Sequence, residues 1–326
     1  MKITVIVCSY NRCRSLAKAL ESVAASELPN SVAWEVLVVD NNSNDQTRDV
    51  VQDFCARYPG RFRYLFEATQ GLSYARNAGV HEARGDIIAF TDDDLTVEPT
   101  WLCNLTGTLC NGEWAGTGGR ILPANTFSPP RWLAPDGPMA GPLYAHFDLG
   151  DKAHELDRPP YGANMAFRKE MFEKYGGFRT DLGKAPGSEI RNEDTEFGRR
   201  LMAARERLRY EPSAVVYHEI PENRISKEFL LKWWFDHGRG RIREAGKRPS
   251  ILGIPRSHIS IANLLVSHLP RKTLWWLVTL NPRERFYRKC MVWVVAGWLV
   301  ETRRLAESWK STPSPSPQND KRGDSA

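Results

Sequence analysis

Three consecutive carboxylates, Asp92, Asp93 and Asp94, directly follow an apolar run at residues 87–91. Adjacent ionised carboxylates repel one another, so their clustering is costly unless a cation neutralises them. Mg²⁺ and Mn²⁺ prefer oxygen ligands, and proteins commonly hold them with one or two carboxylates together with the phosphates of a substrate. The triplet therefore predicts a divalent-metal site beside a phosphate group, and the alternative is a solvated acidic turn.

Side chains that suit the other parts of a nucleotide follow further apolar runs. Tyr10 offers a flat face for a nucleobase, and Asp40 offers a carboxylate for a base or a ribose hydroxyl. Arg12 and Arg76 are cations of the kind that pair with a diphosphate. Taken singly, Tyr10 also fits a packed core and Arg76 an exposed helix surface, so the prediction of a nucleotide site depends on the whole set.

The elements that must bring these side chains together alternate between strand-like and helix-like patterns. Uninterrupted apolar runs of buried-strand length are followed by segments with apolar residues at helical spacing. This alternation predicts an α/β fold with a mainly parallel sheet that helices cover on both faces. Ligands bind beyond the carboxyl ends of the strands in such sheets, so the polar clusters after the strands are expected at one edge. The predicted strands are 3–8, 35–40, 61–67 and 87–91, the helices between them are 15–25, 45–58 and 72–83, and the polar clusters are 9–12, 40–43 and 92–94.

The remainder of the chain divides into an insertion, a second group of elements and a tail. Residues 121–160 hold eight of the 21 prolines, which predicts an irregular insertion. Helices are expected near 169–175 and over 193–204, and a last short strand at 215–218. The first 220 residues are therefore predicted to form one domain, and the low-complexity tail 311–326 is predicted to be disordered.

The charge is unevenly distributed along the chain. Residues 1–220 carry 25 Lys and Arg against 30 Asp and Glu, whereas residues 221–310 carry 18 against 7. This basic segment also places tryptophans beside Lys and Arg, which is typical of helices that lie in a membrane interface. Its longest apolar run has 11 residues, and a bilayer needs about 20. Peripheral attachment to a membrane and a helical region with buried tryptophans are the two interpretations.

The six cysteines show no paired spacing, and the N-terminus lacks the charged-then-apolar layout of a signal peptide. These features predict a protein of the reducing cytoplasm that has neither a disulfide scaffold nor a structural zinc site. If the basic segment 221–310 attaches to a membrane, the expected location is the inner face of the cell membrane.

Five segments resemble, in the expected order, the motifs of the family 2 glycosyltransferases. They cover roughly residues 3–220 and read VIVCSYNR, VVDNNSND, GLSYARNAGVHEARGDIIAFTDDD, YGANMAFRKEMFEKYGGF and NEDTEFGRRL. The resemblance implies the GT-A fold, a Rossmann-like nucleotide-diphospho-sugar transferase fold with a mostly parallel central sheet, here followed by a C-terminal helical arm. No QxxRW motif follows the last segment, so the similarity is to bacterial members that transfer a single sugar.

The resemblance also assigns roles to residues that bind the sugar donor. Tyr10 and Asp40 match positions that hold the base and the ribose, and Arg76 matches a donor-contacting arginine. Asp92 and Asp94 match the outer residues of the DxD motif, in which the second aspartate holds the metal. The residues expected to contact the donor are Ser9, Tyr10, Arg12, Asp40, Arg76, Asp92, Asp93 and Asn164.

A catalytic base and a second metal ligand complete the implied site. Asp194 matches the base of inverting members, with Glu193 as the next candidate and Glu189 as the third. In the first turn of a helix capped by Asn192, the helix dipole would keep Asp194 ionised; alternatively, the acidic pair only complements the dipole. His218 matches a metal ligand of related GT-A enzymes, and the alternative is a hydrogen-bonded structural histidine.

These roles predict a metal-dependent inverting glycosyltransferase that uses Mn²⁺ or Mg²⁺. It is expected to move one sugar from a nucleoside diphosphate sugar to a hydroxyl of a saccharide or lipid-linked acceptor, in cell-surface polysaccharide or glycolipid synthesis. A nucleotidyltransferase acting on sugar phosphates is one alternative, but the segment CSYNRCRS lacks the glycines of the usual phosphate-binding loop. A binder of nucleic acid or anionic surfaces is another; it leaves the aspartate triplet unexplained, and no nucleic-acid partner is expected.

Overall fold

The computed structural model describes residues 2–246 and 261–310, and the predicted tail 311–326 lies outside them. The strands are β1 Lys2–Ser9, β2 Ala33–Asp40, β3 Phe62–Phe66, β4 Ile87–Asp92, β5 Leu95–Val97, β6 Gly116–Pro123, β7 His154–Glu155, β8 Asn164–Arg168 and β9 Leu208–His218. The α-helices are α1 Cys13–Ala24, α2 Thr47–Arg57, α3 Leu72–Glu82, α4 Trp101–Gly107, α5 Ala140–Tyr144, α6 Lys169–Tyr175, α7 Glu193–Ala203, α8 Lys227–Ala245, α9 Leu269–Val278 and α10 Pro282–Lys310. A π-helical turn, Leu264–His268, precedes α9.

One sheet contains all nine of these strands. Its order is β3-β2-β1-β4-β8-β6-β9-β5, and β7 pairs with β9 beside this path. The first four strands in this order are parallel to one another. Beyond them β8 is antiparallel to both of its neighbours, while β6 and β9 are parallel. The predicted α/β sheet is therefore confirmed, with its parallel part formed by the first hundred residues.

The helices of the parallel half form because one face of each is apolar. In α1 the buried residues are Leu16, Ala19, Leu20 and Val23, the spacing of a single helical face. Strand β1 is buried on both sides, as its uninterrupted apolar run requires. The predicted strands and helices of the first hundred residues all exist, with ends shifted by one or two residues.

The strand register brings the predicted donor-binding residues to one edge of the sheet. Ser9, the last residue of β1, pairs with Asp40 of β2, and Cys8 pairs with Asp92 of β4. Just past the ends of β1 and β2, Asn11 and Asn42 adopt φ values of 53° and 67°. Asparagine tolerates this left-handed conformation better than most residues, so both strands can turn sharply at this edge.

The proline-rich segment is mostly irregular and packs on the C-terminal arm. Between β6 and β8 it forms a short 3₁₀ turn at Gly137–Met139, the short helix α5 and the two-residue strand β7. Its side chains Leu133 and Leu143 share a second apolar core with Leu230 of α8 and Phe286 of α10. The segment therefore joins the arm to the sheet domain.

Helices α8 and α10 of the arm pack closely at glycines. A Cβ atom on Gly238 would collide with the backbone of Val294, and one on Gly297 would collide with the backbone of Phe235. Beside this contact Glu301 is fully buried and accepts hydrogen bonds from two arginines of α8, Arg239 at 2.9 Å and Arg243 at 2.5 Å.

The arm also contacts α7 and the segment that precedes it. The Arg243 guanidinium donates to the carbonyl of Asp181, Arg179 donates to the carbonyl of Glu244, and Glu244 pairs with Arg199 of α7. Among the helices at residues 2–246 and 261–310, no segment combines the length and the apolar character that crossing a bilayer requires. The contacts of Arg243, Arg179 and Glu244 therefore hold the described arm against the domain that contains the predicted site residues.

Candidate active site

Asp94, the last carboxylate of the triplet, lies among three side chains that face it. Its Oδ2 accepts hydrogen bonds from Arg12 at 2.7 Å and from Arg224 at 3.3 Å. Its Oδ1 is 3.5 Å from Nε2 of His218. Burial alone would raise the pKa of Asp94, but the charges of His218 in its protonated form, of Arg12 and of Arg224 outweigh burial and hold this pKa below its ordinary value. The carboxylate is therefore ionised at neutral pH.

His218 presents the nitrogen that a metal would need. Its Nδ1 lies 2.8 Å from the carbonyl oxygen of Glu219, which can only accept, so Nδ1 carries the proton in the neutral ring. The lone pair of Nε2 then points at Asp94 and at the Arg224 guanidinium, 3.4 Å away. His218 is 3 % exposed and is a hydrogen-bonded ring, and its predicted role as a metal ligand stays a prediction.

Asp94 and His218 offer ligand atoms of the kinds that a divalent cation accepts, a carboxylate oxygen and an imidazole nitrogen 3.5 Å apart. The Arg224 guanidinium contacts both side chains, so a positive group already faces this pair. Within the described ranges no three His, Cys, Asp or Glu side chains are grouped to hold a metal, so phosphate oxygens would have to supply further ligands. One imidazole nitrogen and one carboxylate oxygen suit Mn²⁺ at least as well as Mg²⁺, which favours oxygen alone.

Asp93 and Ser9 face the protein interior. The Ser9 hydroxyl donates to Asp93 at 2.7 Å, and Arg12 donates to the other carboxylate oxygen at 3.1 Å. Burial raises the pKa of Asp93 to about 6. Because these groups bind each other at 3 % and 5 % exposure, the prediction that Ser9 and Asp93 contact the donor is corrected: they orient Arg12.

Arg76 connects the triplet to the acidic pair on α7. It is buried, and its guanidinium donates to Glu193 at 2.6 Å and contacts Asp92 at 3.5 Å. The guanidinium lies against Gly162, where a Cβ atom would collide with it, so glycine is required there. Arg76 therefore sets the spacing between the carboxylates of Glu193 and Asp92, and its positive charge is already paired with them.

Glu193 is a buried ion-pair partner of Arg76. Burial and the neighbouring Asp194 raise its pKa to about 7, and its Oε2 has no hydrogen-bond partner in the described part of the chain. Only 4 % of the residue is exposed. Glu189, the third candidate, pairs with Arg191 at 3.2 Å. Both carboxylates are therefore held in ion pairs with arginines of the protein.

Asp194 is half-buried and is oriented by two backbone amides. Its Oδ2 accepts from the N–H of Gly162 and its Oδ1 from the N–H of Thr195, both at 2.6 Å. The position in the first turn of α7 places it at the positive end of the helix dipole, which stabilises a negative charge. Backbone amides thus orient the carboxylate of Asp194, and its role as the base stays a prediction.

The prediction that the side chain of Asn192 caps α7 is wrong. Asn192 occupies the N-cap position, but its φ is 84° and its side chain makes no capping hydrogen bond. The amide instead donates to Glu244 of α8 at 3.4 Å. The arm therefore fixes the start of α7, and Asp194 receives its orientation from Gly162.

Tyr10, Asp40 and Asn164 differ in what they can contact. Tyr10 is 44 % exposed, which leaves its ring face available. Asp40 is buried, with one oxygen bound by the Ser43 N–H and the other by the Tyr64 hydroxyl, so donor contact by Asp40 stays a prediction. Asn164 is fully buried, and the expectation that it binds the donor is corrected.

All hydrogen-bonding groups of Asn164 are used within the protein core. Its Oδ1 accepts from the Trp101 indole, and its amide donates to the carbonyls of Arg120 and Ala214. Asn164 thus joins β8 to β6, β9 and α4, which is why the site sheet holds together where its strands change direction.

Three cations that no motif had indicated are Lys184, Arg191 and Arg224, and Arg224 contacts Asp94 at 3.3 Å. The three act electrostatically on one another, and Arg12 acts on Lys184 and Arg224. Lys184 and Arg191 belong to the segment between α6 and α7, and Arg224 follows β9. No motif marks them, and the basic character of residues 221–310 was the only available signal for Arg224.

Removing the carboxylate of Glu193 is expected to destabilise the fold. In Glu193→Ala the buried Arg76 keeps only Asp92 at 3.5 Å, and breaking one side of a buried pair costs about 3–5 kcal/mol. Urea unfolding of the variant measures the loss. Asp157→Asn, which breaks an exposed pair with Arg158, is the control and should cost under about 1 kcal/mol. Equal stability of the two variants would contradict the structural role of Glu193.

Comparison with solved structures defines the class of the fold. A mannosyltransferase from Pyrobaculum calidifontis, solved with GDP-Man and Mn²⁺, has a TM-score of 0.58 at 16% identity and covers 91% of this chain and 86% of its own. Residues 1–349 of Staphylococcus aureus TarS, solved with UDP-GlcNAc, give a TM-score of 0.54 at 18% identity, with 95% and 92% covered. The chain has the GT-A fold of the glycosyltransferases.

Sequence comparison gives the family. The description "Glycosyl transferase family 2" matches residues 4–176. The succinoglycan biosynthesis protein ExoM of Rhizobium meliloti is 30% identical over 241 residues, which cover 73% of this chain and 74% of ExoM. The glucosyl-dolichyl phosphate glucuronosyltransferase of Haloferax volcanii is 29% identical over 236 residues, 71% and 73% of the two chains. This chain belongs to glycosyl transferase family 2 and is a glycosyltransferase.

Proposed function

We propose that the protein transfers one sugar from a nucleoside diphosphate sugar to a hydroxyl of a saccharide or lipid-linked acceptor, with inversion at the anomeric carbon. The observation that carries the proposal is the contact of Arg76 with both Asp92 and Glu193, which joins the aspartate triplet to the acidic pair that contains the oriented carboxylate of Asp194. In this proposal the aspartate triplet binds the cation at the diphosphate of the donor, and Asp194 is the base for the acceptor hydroxyl.

The reaction requires one bond to form as another breaks. The acceptor oxygen attacks the anomeric carbon, the bond from that carbon to the diphosphate oxygen breaks, and its electron pair leaves with the nucleoside diphosphate. The proton of the acceptor hydroxyl passes to Asp194 Oδ. A positioned base of this kind contributes about 10²–10⁴-fold in rate.

Each remaining residue of the cleft has a part in positioning the donor. The exposed ring of Tyr10 offers the base a stacking face, while Asp40 shapes the turn beside it. Asp94 and His218 would hold Mn²⁺ or Mg²⁺, and a bound divalent ion would supply Lewis-acid stabilisation to the leaving diphosphate. Two of the solved relatives, the Pyrobaculum mannosyltransferase and GalNAc-T7, contain Mn²⁺, which supports the choice of Mn²⁺.

The proposal is tested with a panel of UDP- and GDP-sugars in the presence of Mn²⁺. Thermal unfolding identifies the donor, because a ligand that binds only the folded state raises its apparent stability. Release of nucleoside diphosphate in the presence of an oligosaccharide or polyprenyl-phosphate-linked acceptor then measures transfer. Nucleotide addition to a sugar 1-phosphate, with release of pyrophosphate, would instead establish the nucleotidyltransferase alternative.

We further propose that α9 attaches the enzyme to the inner face of the cell membrane, where a lipid-linked acceptor or a growing cell-surface polysaccharide would be met. Leu274, Leu277 and Val278 are each more than half exposed on α9, and Leu280 beyond it is 91% exposed. The flanking cations are Arg271, Lys272, Arg283 and Arg285. An apolar face with a basic border matches the interior and the charge of an anionic lipid surface.

Substitution of this apolar face is expected to abolish membrane binding without unfolding. In a Leu274→Ser, Leu277→Ser, Leu280→Ser triple variant, cosedimentation with phosphatidylglycerol vesicles should fall at least about tenfold, since each lost leucine removes apolar contact. Phe66→Ser, which removes an apolar side chain exposed to a similar 51%, is the control. Wild-type protein that does not cosediment, or a triple variant that cosediments fully, would contradict the attachment.

A further inference from the structure

Ion pairs occupy most of the cations in and near the group around Asp94. Arg12 shares Asp93 and Asp94, Arg224 shares Asp94, and Arg191 pairs with Glu189. The ammonium of Lys184 has no hydrogen bond and no ion pair with any residue in the described ranges. Lys184 is therefore the one member of this cluster that has no partner there.

The positive charges around Lys184 make its own positive charge unfavourable. The charges that act on it come from Arg191, Arg12 and Arg224, with Glu189 as the opposing carboxylate. Burial, followed by these cations, lowers its pKa to about 8. Like charges that crowd a half-buried site are unfavourable unless an anion joins them.

Backbone contacts hold the segment that contains Lys184 against α3. Its carbonyl accepts a hydrogen bond from Leu72 at the start of α3, at 2.8 Å, and the next residue, Ala185, pairs with Ser188 in a short antiparallel bridge. Two residues earlier, the carbonyl of Leu182 accepts from the Ser73 hydroxyl. These contacts hold the segment against α3, the helix that carries Arg76.

We propose that Lys184, together with Arg12 and Arg224, binds the diphosphate of the donor and of the nucleoside diphosphate product directly, through the protein's own cations and without a requirement for metal. The inference rests on the proposed function, since it names the groups that receive the leaving diphosphate. The charge released when the anomeric bond breaks develops on a phosphate oxygen, and an uncommitted ammonium beside it stabilises that charge. Lys184 is thereby assigned as a leaving-group residue.

The test measures the binding of inorganic pyrophosphate, UDP and GDP by calorimetry in excess EDTA. Wild-type protein should bind pyrophosphate and at least one of the two nucleotides, and Lys184→Gln should weaken that binding at least about tenfold, the loss of one charged hydrogen bond. Lys184→Arg, which keeps the charge, should stay within a few-fold of wild type. Lys152→Gln, which removes a lysine exposed in the proline-rich segment, should leave binding unchanged.

A second measurement separates ligand binding from a structural role. Because Lys184 is crowded by like charges, ligand-free Lys184→Gln should unfold at the same temperature as wild type or higher. Pyrophosphate binding that Lys184→Gln leaves unchanged, no pyrophosphate binding to wild type in EDTA, or a lowered unfolding temperature of the variant would each overturn the assignment. Wild-type protein that binds neither UDP nor GDP even with Mn²⁺ would instead contradict the proposed function.

Discussion

Replacing Asp194 with asparagine is expected to slow sugar transfer by about 10²–10⁴-fold while the donor still binds. The asparagine keeps the size of the side chain and one carbonyl oxygen, which can accept from the N–H of Gly162 or of Thr195 but not from both, and it cannot accept the proton of the acceptor hydroxyl. The initial rate of nucleoside diphosphate release measures the first effect, and calorimetric affinity for the donor measures the second.

Two controls make this result specific to Asp194. Asp157→Asn removes an exposed carboxylate and should leave the rate unchanged. Glu193→Ala is expected to lose stability as well as activity, because Glu193 neutralises Arg76. If Asp194→Asn turns over at the wild-type rate, another group is the base and the assignment of Asp194 fails.

Replacing Asp94 with asparagine is expected to remove the response of the enzyme to Mn²⁺ and to lower turnover at saturating Mn²⁺ by about 10²-fold or more. A Lewis acid at a developing phosphate charge is worth several kcal/mol, and tenfold in rate corresponds to about 1.4 kcal/mol. Asparagine keeps one weak oxygen donor but loses the negative charge that faces His218 and Arg224. The measurement is turnover across a Mn²⁺ titration, with EDTA as the zero point.

Asp93→Asn is the matched control, since it alters the adjacent aspartate. Asp93 faces Ser9 and Arg12 inside the protein, so this variant should keep its dependence on Mn²⁺. Metal-free binding of nucleoside diphosphate should persist in Asp94→Asn, because Lys184, Arg12 and Arg224 remain. Full wild-type activity in EDTA would show that the reaction needs no metal at all.

The parallel half of the sheet could be predicted because its signals are local. Runs such as 3–8 and 35–40 are apolar on both faces, and each is followed by a helix with one apolar side. The second half could not be predicted to the same degree. Strands β8, β6 and β9 obtain their neighbours through pairings between distant segments, including one that Asn164 joins by buried hydrogen bonds.

The residues of the site also fall into those that local motifs predict and those that they do not. Asp94 and Asp194 lie in short motifs, so their place at the cleft follows from strand and helix ends. Lys184 and Arg224 carry no local signal, and Arg224 meets Asp94 from 130 residues away along the chain. Ser9, Asp93 and Asn164 belong to the same motifs as the exposed residues, and only burial shows that their side chains point inward.

The C-terminal arm shows why composition alone left two interpretations open. Its residues include both a buried pair, Glu301 with Arg243, and an exposed apolar face on α9. A truncation near residue 250 would remove both together, because Glu301 lies on α10. Substitutions confined to α9 are therefore the sharper test of membrane attachment.

Pulsed electron paramagnetic resonance of Mn²⁺ added with UDP or GDP tests most directly whether this cleft holds a cation and a diphosphate together. With the nucleotide that binds, the spectrum should show hyperfine coupling to a ¹⁴N nucleus, from His218, and to ³¹P at the same ion; His218→Gln should lose only the nitrogen signal. Phosphorus coupling with no nitrogen coupling in the wild type, or a nitrogen signal that survives in His218→Gln, would contradict a metal bound at Asp94 and His218.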